Sequence, residues 1–280
     1  MTIRIVTDST CDLPSDVIEK YQVKVVPIYI NIGKHEYLDG IDITRKEFYE
    51  KLPDLAEHPT TAVPSPIKFK AIYDSLAEEG AKDILSIHIS QVLSAMVDVA
   101  RTAAQETISA AVHVIDGRQL SMGTGFLVET AAEMASVGHT VKEIIDALES
   151  QIKRTRVFAA LDTLEFLKRS GRMNHWMSSL GSLLQIKPIL TMFDGKPENE
   201  KVRTRERALH RLVEMLSAAA PFERIALLHT NASQRIDELK KMASGLISHT
   251  DILTVDITPV IGAHIGPGAV GFAVVRALES

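Results

Sequence analysis

Residues 257–275 read ITPVIGAHIGPGAVGFAVV, with Gly262, Gly266 and Gly268 set around His264 ahead of an apolar run. The placement of this stretch decides the fold. Gly266, Gly268 and Gly271 match the GxGxxG spacing of a dinucleotide loop, but that fingerprint works only between a strand and the helix whose N-terminus meets the pyrophosphate. Here the glycines lead into GAVGFAVV, a strand pattern rather than a crossover helix. The dinucleotide reading fails on context. What remains is a glycine-rich loop that lets backbone and a titratable imidazole close on some other anion, feeding a buried strand.

The same alternation extends outward. In the first half IRIVT, VKVVPIYI, DILSIHI and VHVID read as buried strands, with the amphipathic stretches IKFKAIYDSLAEEG and LVETAAEMAS between them as helices. Strands interleaved with helices predict a largely parallel sheet covered by helices. From RVFAAL onward, KPILTMF, RIALLHT, DILTVDIT and GAVGFAVV alternate with the helical RERALHRLVEMLSAAA and ASQRIDELKKMASGLI, which predicts a second α/β unit with a mixed sheet. The expected organisation is therefore two α/β domains, 1–155 and 156–280, divided where the helix EIIDALESQIKRT ends at Thr155. No Pro/Gly-rich linker marks that boundary.

Composition narrows the function classes. A chain of 280 residues suits two domains, and 45% hydrophobic with 24% charged residues describes an ordinary globular protein. A net charge of −5 with no basic run gives a nucleic-acid surface little to stand on. Cys11 is the single cysteine and cannot form an internal disulfide, and no Cys/His grouping has zinc spacing. The opening MTIRIVTDST is a strand and polar loop rather than a basic segment with an apolar core, and no apolar run approaches membrane-spanning length. The expectation is a cytoplasmic protein with no integral membrane segment.

Ligands of open α/β sheets gather at the carboxyl ends of the strands. Those exits are DSTCDLPSD, SQVLSAM and GRQLSMGTG, each rich in hydroxyls or small residues. GxxxxGK[ST], GxSxG and HExxH are all absent, which removes the commonest phosphate-loop, hydrolase and metalloprotease signatures.

Taken in order, TDSTCDLP, TTAVPSP, ISQVLSAM, VIDGRQLSMGTG, LEFLKRSGRM, LLQIKPIL followed by RTRERA, and PVIGAHIGPGAVG resemble the motifs of the DegV family across essentially the whole chain. The resemblance implies a fatty-acid-binding protein that presents its bound acid to a separate ATP-dependent kinase, which phosphorylates the carboxylate. It implies no cofactor.

The individual residues support and qualify that expectation. Ser65 and Pro66 form a helix start by their own chemistry, serine as N-cap and proline at the first helical position. Thr60 and Ser65 therefore read as structural. Thr61 lies before the cap with its hydroxyl free, and matches the family position that bonds the fatty-acid carboxylate. Ser94 stands near the start of the helical pattern running through VDVARTAAQETISAA, where unpaired backbone N–H groups and the helix dipole favour an anion. Ala95 and Met96 replace the glycine and threonine usual in the family motif LSGTY, giving the anion less room and one hydroxyl fewer. Ser121, Met122, Gly123 and Gly125 read as packing. Of the two arginines in RSGRM, Arg169 reads as surface and Arg172 as head-group support, since the family places an arginine near the carboxylate and a guanidinium suits an oxyanion. His264 matches the histidine of the family's closing motif and is expected, with Arg172, to steady negative charge at the head. Arg203 and Arg205 resemble a basic stretch that the family uses toward its kinase.

No catalytic constellation emerges. Ser94 and His264 could pair, but no acid can be chosen to orient the imidazole. Asp8 and Asp12 with Ser9 suit magnesium no better than a turn, so no metal is expected. The contrasting expectation is a stand-alone acyl hydrolase or small-molecule kinase.

Overall fold

A computed structural model of the chain describes residues 3–176, 186–247 and 252–278. The first three residues of the LLQIKPIL motif, 183–185, lie outside them. The strands are β1 (Ile3–Asp8), β2 (Lys24–Val26), β3 (Tyr29–Ile32), β4 (His35–Leu38), β5 (Thr60–Ala62), β6 (Asp83–His88), β7 (Ala111–Asp116), β8 (Thr155–Ala160), β9 (Lys187–Phe193), β10 (Lys196–Val202), β11 (Phe222–His229), β12 (Leu253–Asp256) and β13 (Val270–Arg276). The helices are α1 (Ser15–Tyr21), α2 (Arg45–Lys51), α3 (Pro66–Glu78), α4 (Met96–Glu106), α5 (Met122–Ser136), α6 (Val141–Ile152), α7 (Glu165–Arg169), α8 (Met173–Trp176), α9 (Arg205–Ala219), α10 (Ser233–Met242) and α11 (Pro259–Ile265). None of them is long and apolar enough to cross a membrane.

These elements form two α/β units. In the first, β2-β1-β6-β7 make a wholly parallel sheet. The second has a six-stranded mixed sheet ordered β10-β9-β8-β13-β11-β12, in which only β11 and β12 run parallel. Its first strand begins at Thr155. A third sheet, antiparallel β4-β3-β5, was not expected. It arises because Pro27 divides VKVVPIYI: proline has no N–H to give a ladder, so β2 stays in the parallel sheet and β3 leaves for another. The register Ile30↔Thr61 then fixes Thr61 on β5.

Helix α5 joins the sheets. Ten of its fifteen residues are buried, and the others, Glu129, Thr130, Glu133, Met134 and Ser136, form a partly exposed strip on its C-terminal half. One core cluster runs from Ile5, Leu85 and Ile87 on the parallel sheet through Met122, Leu127 and Val128 to Val157 and Leu190 on the mixed sheet. Gly123 is what lets α5 come this close, since a Cβ there would stand 2.6 Å from Val157 Cγ2. The expected role of Gly123 in packing matches this contact.

Two local expectations change. The helical pattern through ISAA stops at Glu106, because Thr107 turns extended and bonds its hydroxyl back to the Ala103 carbonyl at 2.9 Å. The stretch around His264 is not a loop: Pro259 opens α11, and His264 lies in its last turn.

Candidate functional site

A cavity of about 420 Å³ lies between β5, the turn before α4, the α7–α8 segment and one face of α11, a size within the range of about 300–1,000 Å³ typical of small-molecule sites. Thr61, Ser94, Arg172 and His264 all line it, although they come from four separate parts of the chain. Most of the remaining wall is aliphatic, including Ile28, Ile89 and Val260. Leu120, Trp176, Ile261 and Ile265 are shared with a small apolar crevice that reaches Val157 and Leu190 on the mixed sheet. The cavity thus has polar groups in its wall and an apolar continuation between the sheets.

Local structure places each polar group. Thr61 faces α11 from β5, and its Oγ1 lies 2.9 Å from His264 Nε2, so the hydroxyl is not free as expected but already paired. Ser94 stands just ahead of α4, near the helix start as expected, and its Oγ accepts the Met96 N–H at 3.3 Å. That contact uses a lone pair and leaves the Ser94 hydrogen for a ligand. Helix α7 closes with the Arg172 N–H donating to the Leu167 carbonyl at 3.1 Å. The turn separates the two arginines: Arg169 pairs with Glu165 at 2.7 Å on the surface, while Arg172 reaches the cavity and donates to the Ser170 carbonyl at 2.9 Å.

His264 is held neutral. Burial, then the charge of Arg172 and the nearby His58, push its pKa down to about 3. Its Nδ1 and the Nε2 of His58 are buried with no hydrogen-bond partner among the described residues. The glycines around it approach protein, not the cavity. A Cβ on Gly262 would collide with the Tyr49 hydroxyl, which donates to the Ile257 carbonyl at 2.9 Å. Gly266, at φ +76°, packs equally close to the Phe166 ring. They seat α11 against its neighbours, which corrects the expectation that they close on a ligand.

A family model described as "Uncharacterised protein, DegV family" matches residues 2–277. The chain belongs to the DegV family. A DegV domain-containing protein of Streptomyces coelicolor is 35% identical over 280 residues, covering 97% of this chain and 98% of that protein. The solved structure of a DegV family protein from Thermus thermophilus, described for its fatty acid binding, superposes with a TM-score of 0.88 at 35% identity, covering 99% and 100% of the two chains. DegV from Bacillus subtilis, described as a fatty acid binding protein, gives a TM-score of 0.89 at 30% identity over 98% and 99%.

Behind the cavity wall this DegV protein carries a buried polar relay that sequence reasoning missed. Asp8 Oδ2 lies 2.9 Å from His88 Nδ1, His88 Nε2 lies 2.7 Å from Ser86 Oγ, and Ser86 Oγ lies 2.8 Å from the Tyr73 hydroxyl. Ser86 and His88 alternate on β6, so both project to one face, a signal legible in DILSIHI. The order of groups is that of a hydrolytic triad, but Ser86 is fully buried and already bonded to Tyr73. Its geometry suits a structural role. Asp8 also accepts the Thr10 N–H at 3.0 Å and the Thr10 hydroxyl, and Thr10 lines the cavity. Burial works to raise the Asp8 pKa, but the hydrogen bonds from His88, Thr10 and the Ile89 N–H outweigh it and hold the group low.

Asp12 serves a different network from Asp8. It meets Arg45 at 3.1 Å, Ser121 at 2.6 Å and the Thr258 N–H, ahead of α11, at 2.9 Å. Burial raises its pKa to about 6 despite those partners. Among the described residues no group of three or more His, Cys, Asp or Glu side chains is placed to hold a metal ion. Arg205 forms a two-point pair with Asp162 at 2.9 and 2.8 Å, and Arg203 is exposed beside Arg207 and His210.

Proposed function

We propose that this protein binds a long-chain fatty acid, with the carboxylate at Thr61 and Ser94 and the acyl chain running between the units 1–155 and 156–280. The observation that carries this reading is the cavity's lining: the Thr61 and Ser94 hydroxyls, Arg172 and His264 stand in a mostly aliphatic wall that continues into an apolar crevice. Burying methylenes drives binding, at about 0.8 kcal/mol each, and the polar groups select an acid over an alcohol. The fatty-acid-binding descriptions of the Thermus and Bacillus proteins support the same assignment.

The finer role is presentation, in the cytoplasm, of the bound carboxylate to a separate ATP-dependent fatty acid kinase that forms the acyl phosphate, with phospholipid metabolism as its setting. Arg172 and His264 then stand where negative charge develops, which is where donors lower a barrier. Arg203 remains available for contact with the kinase, whereas Arg205 would have to leave Asp162. Mass spectrometry of ligand released from purified protein, followed by calorimetry after delipidation, tests the carrier role. About one long-chain acid per chain is expected, and failure of the delipidated protein to bind any such acid would overturn it.

A further inference from the structure

We infer that fatty-acid binding in this cavity is coupled to proton uptake by His264, so that in mildly acid solution the site holds the acid as a carboxylate beside an imidazolium. The inference rests on the carrier reading above and specifies how that site responds to pH.

A neutral imidazole has one N–H for two nitrogens. If Nδ1 carries it, Nε2 accepts from Thr61, and the Thr61 hydroxyl has no hydrogen left for a carboxylate. If Nε2 carries it, Nε2 donates to the Thr61 oxygen at 2.9 Å and the hydroxyl is free to turn to the ligand. A carboxylate at Thr61 therefore selects the second tautomer. That leaves Nδ1 as a bare basic lone pair, buried and with no hydrogen-bond partner among the described residues.

The charges around the ring then change balance. Without ligand, burial, Arg172 and His58 all oppose a charge on His264. Beyond His58, the Arg169–Glu165 pair nearly cancels itself. At the opposite end of α11, Asp12 is paired with Arg45, Asp39 accepts from the Thr258 hydroxyl, and Tyr49 bonds to a carbonyl, so none of these supplies a free counter-charge. An incoming carboxylate supplies one directly. A unit charge about 4 Å away at a partly buried site is worth about three pKa units. Applied to the value of about 3, that brings the ring to about 6 and into the physiological range. The proton comes from solution, forms the Nδ1–H bond, and breaks no other bond in the protein.

Calorimetry of delipidated protein with a long-chain acid, run in buffers of different ionisation enthalpy at pH 6 and pH 8, counts protons per acid bound. About half a proton is expected at pH 6 and about none at pH 8. The fatty alcohol of equal length should show none at either pH. His264→Gln, compared with wild type, cancels any ionisation of the acid itself and should lose the uptake at pH 6. Carbon-13 titration of the His264 ring in acid-loaded wild type gives an independent reading, with a midpoint near 6 expected. Acid binding with no uptake, or a loaded ring that stays neutral down to pH 5, overturns the coupling and leaves the carrier reading intact. Failure of the wild type to bind either ligand overturns both.

Discussion

Thr61 Oγ1 and His264 Nε2 lie 2.9 Å apart although 203 positions separate them in the chain. The contact joins β5 of the first unit to α11 of the second in the wall of the cavity. Because the imidazole holds the Thr61 side chain in place, a ligand meets an oxygen whose rotamer is already fixed, which lowers the entropy lost on binding.

Removal of either hydroxyl is expected to weaken acid binding. A hydrogen bond to a charged group contributes about 1.5–3 kcal/mol, so Thr61→Ala or Ser94→Ala should raise the Kd for a long-chain acid by about ten-fold or more. The matching alcohol should change much less. Equal losses for both ligands in titration calorimetry would mean that these residues shape the cavity and do not hold the head.

The two arginines of RSGRM should separate cleanly. Arg172 lines the cavity, whereas Arg169 is engaged in an exposed pair with Glu165, of a kind worth about 0–1 kcal/mol. Arg172→Gln is expected to weaken acid binding about ten-fold or more while Arg169→Gln leaves it within about two-fold. The reverse ranking would remove Arg172 from the site.

Asp12 makes stability depend on pH. Its folded pKa of about 6 lies above the ordinary 3.8, so the folded state binds the proton more tightly than the unfolded one. The stabilisation this provides is complete below about pH 3.8 and is lost as pH rises through about 6. Relative to Asp12→Asn, which cannot titrate, wild type should therefore lose up to about 3 kcal/mol between pH 4 and pH 7. Urea unfolding of both proteins at the two pH values measures this, and a difference that is constant or grows with pH contradicts it.

The sequence carried the framework because periodicity is local. Buried strands such as IRIVT and DILSIHI stand out by composition alone, and strands spaced by helices imply the parallel sheet. The four cavity residues were legible through motif resemblance, not through spacing, since Thr61 and His264 have no local relation. The third sheet was missed because its strands are three and four residues long, too short for a pattern. Helix α11 was hidden by its glycines, although Thr258 followed by Pro259 is an N-terminal signal that would have found it. Those glycines answer to Tyr49 and Phe166, contacts that only the assembled fold creates. Asp8 and His88 show the same limit: each was visible, but their pairing spans 80 positions.

Labour should divide between this protein and a kinase. Phosphoryl transfer needs a cradle for the nucleotide phosphates and, in most enzymes, a metal between them. The sequence contains no GxxxxGK[ST] loop, and the cavity is lined mostly by aliphatic side chains, which suits a chain rather than a nucleotide. The isolated protein loaded with fatty acid is therefore expected to give no acyl phosphate with ATP and magnesium, and to do so once an ATP-dependent fatty acid kinase is added. His264→Ala should lower that kinase-dependent rate by about ten-fold or more, because an interaction made where charge develops is lost. Titrating the kinase to saturation separates weakened docking, which higher kinase restores, from weakened chemistry, which it does not. Robust acyl phosphate from the isolated protein would replace the carrier with an enzyme, and a wild-type rate for His264→Ala at every kinase concentration would confine the imidazole to orienting Thr61.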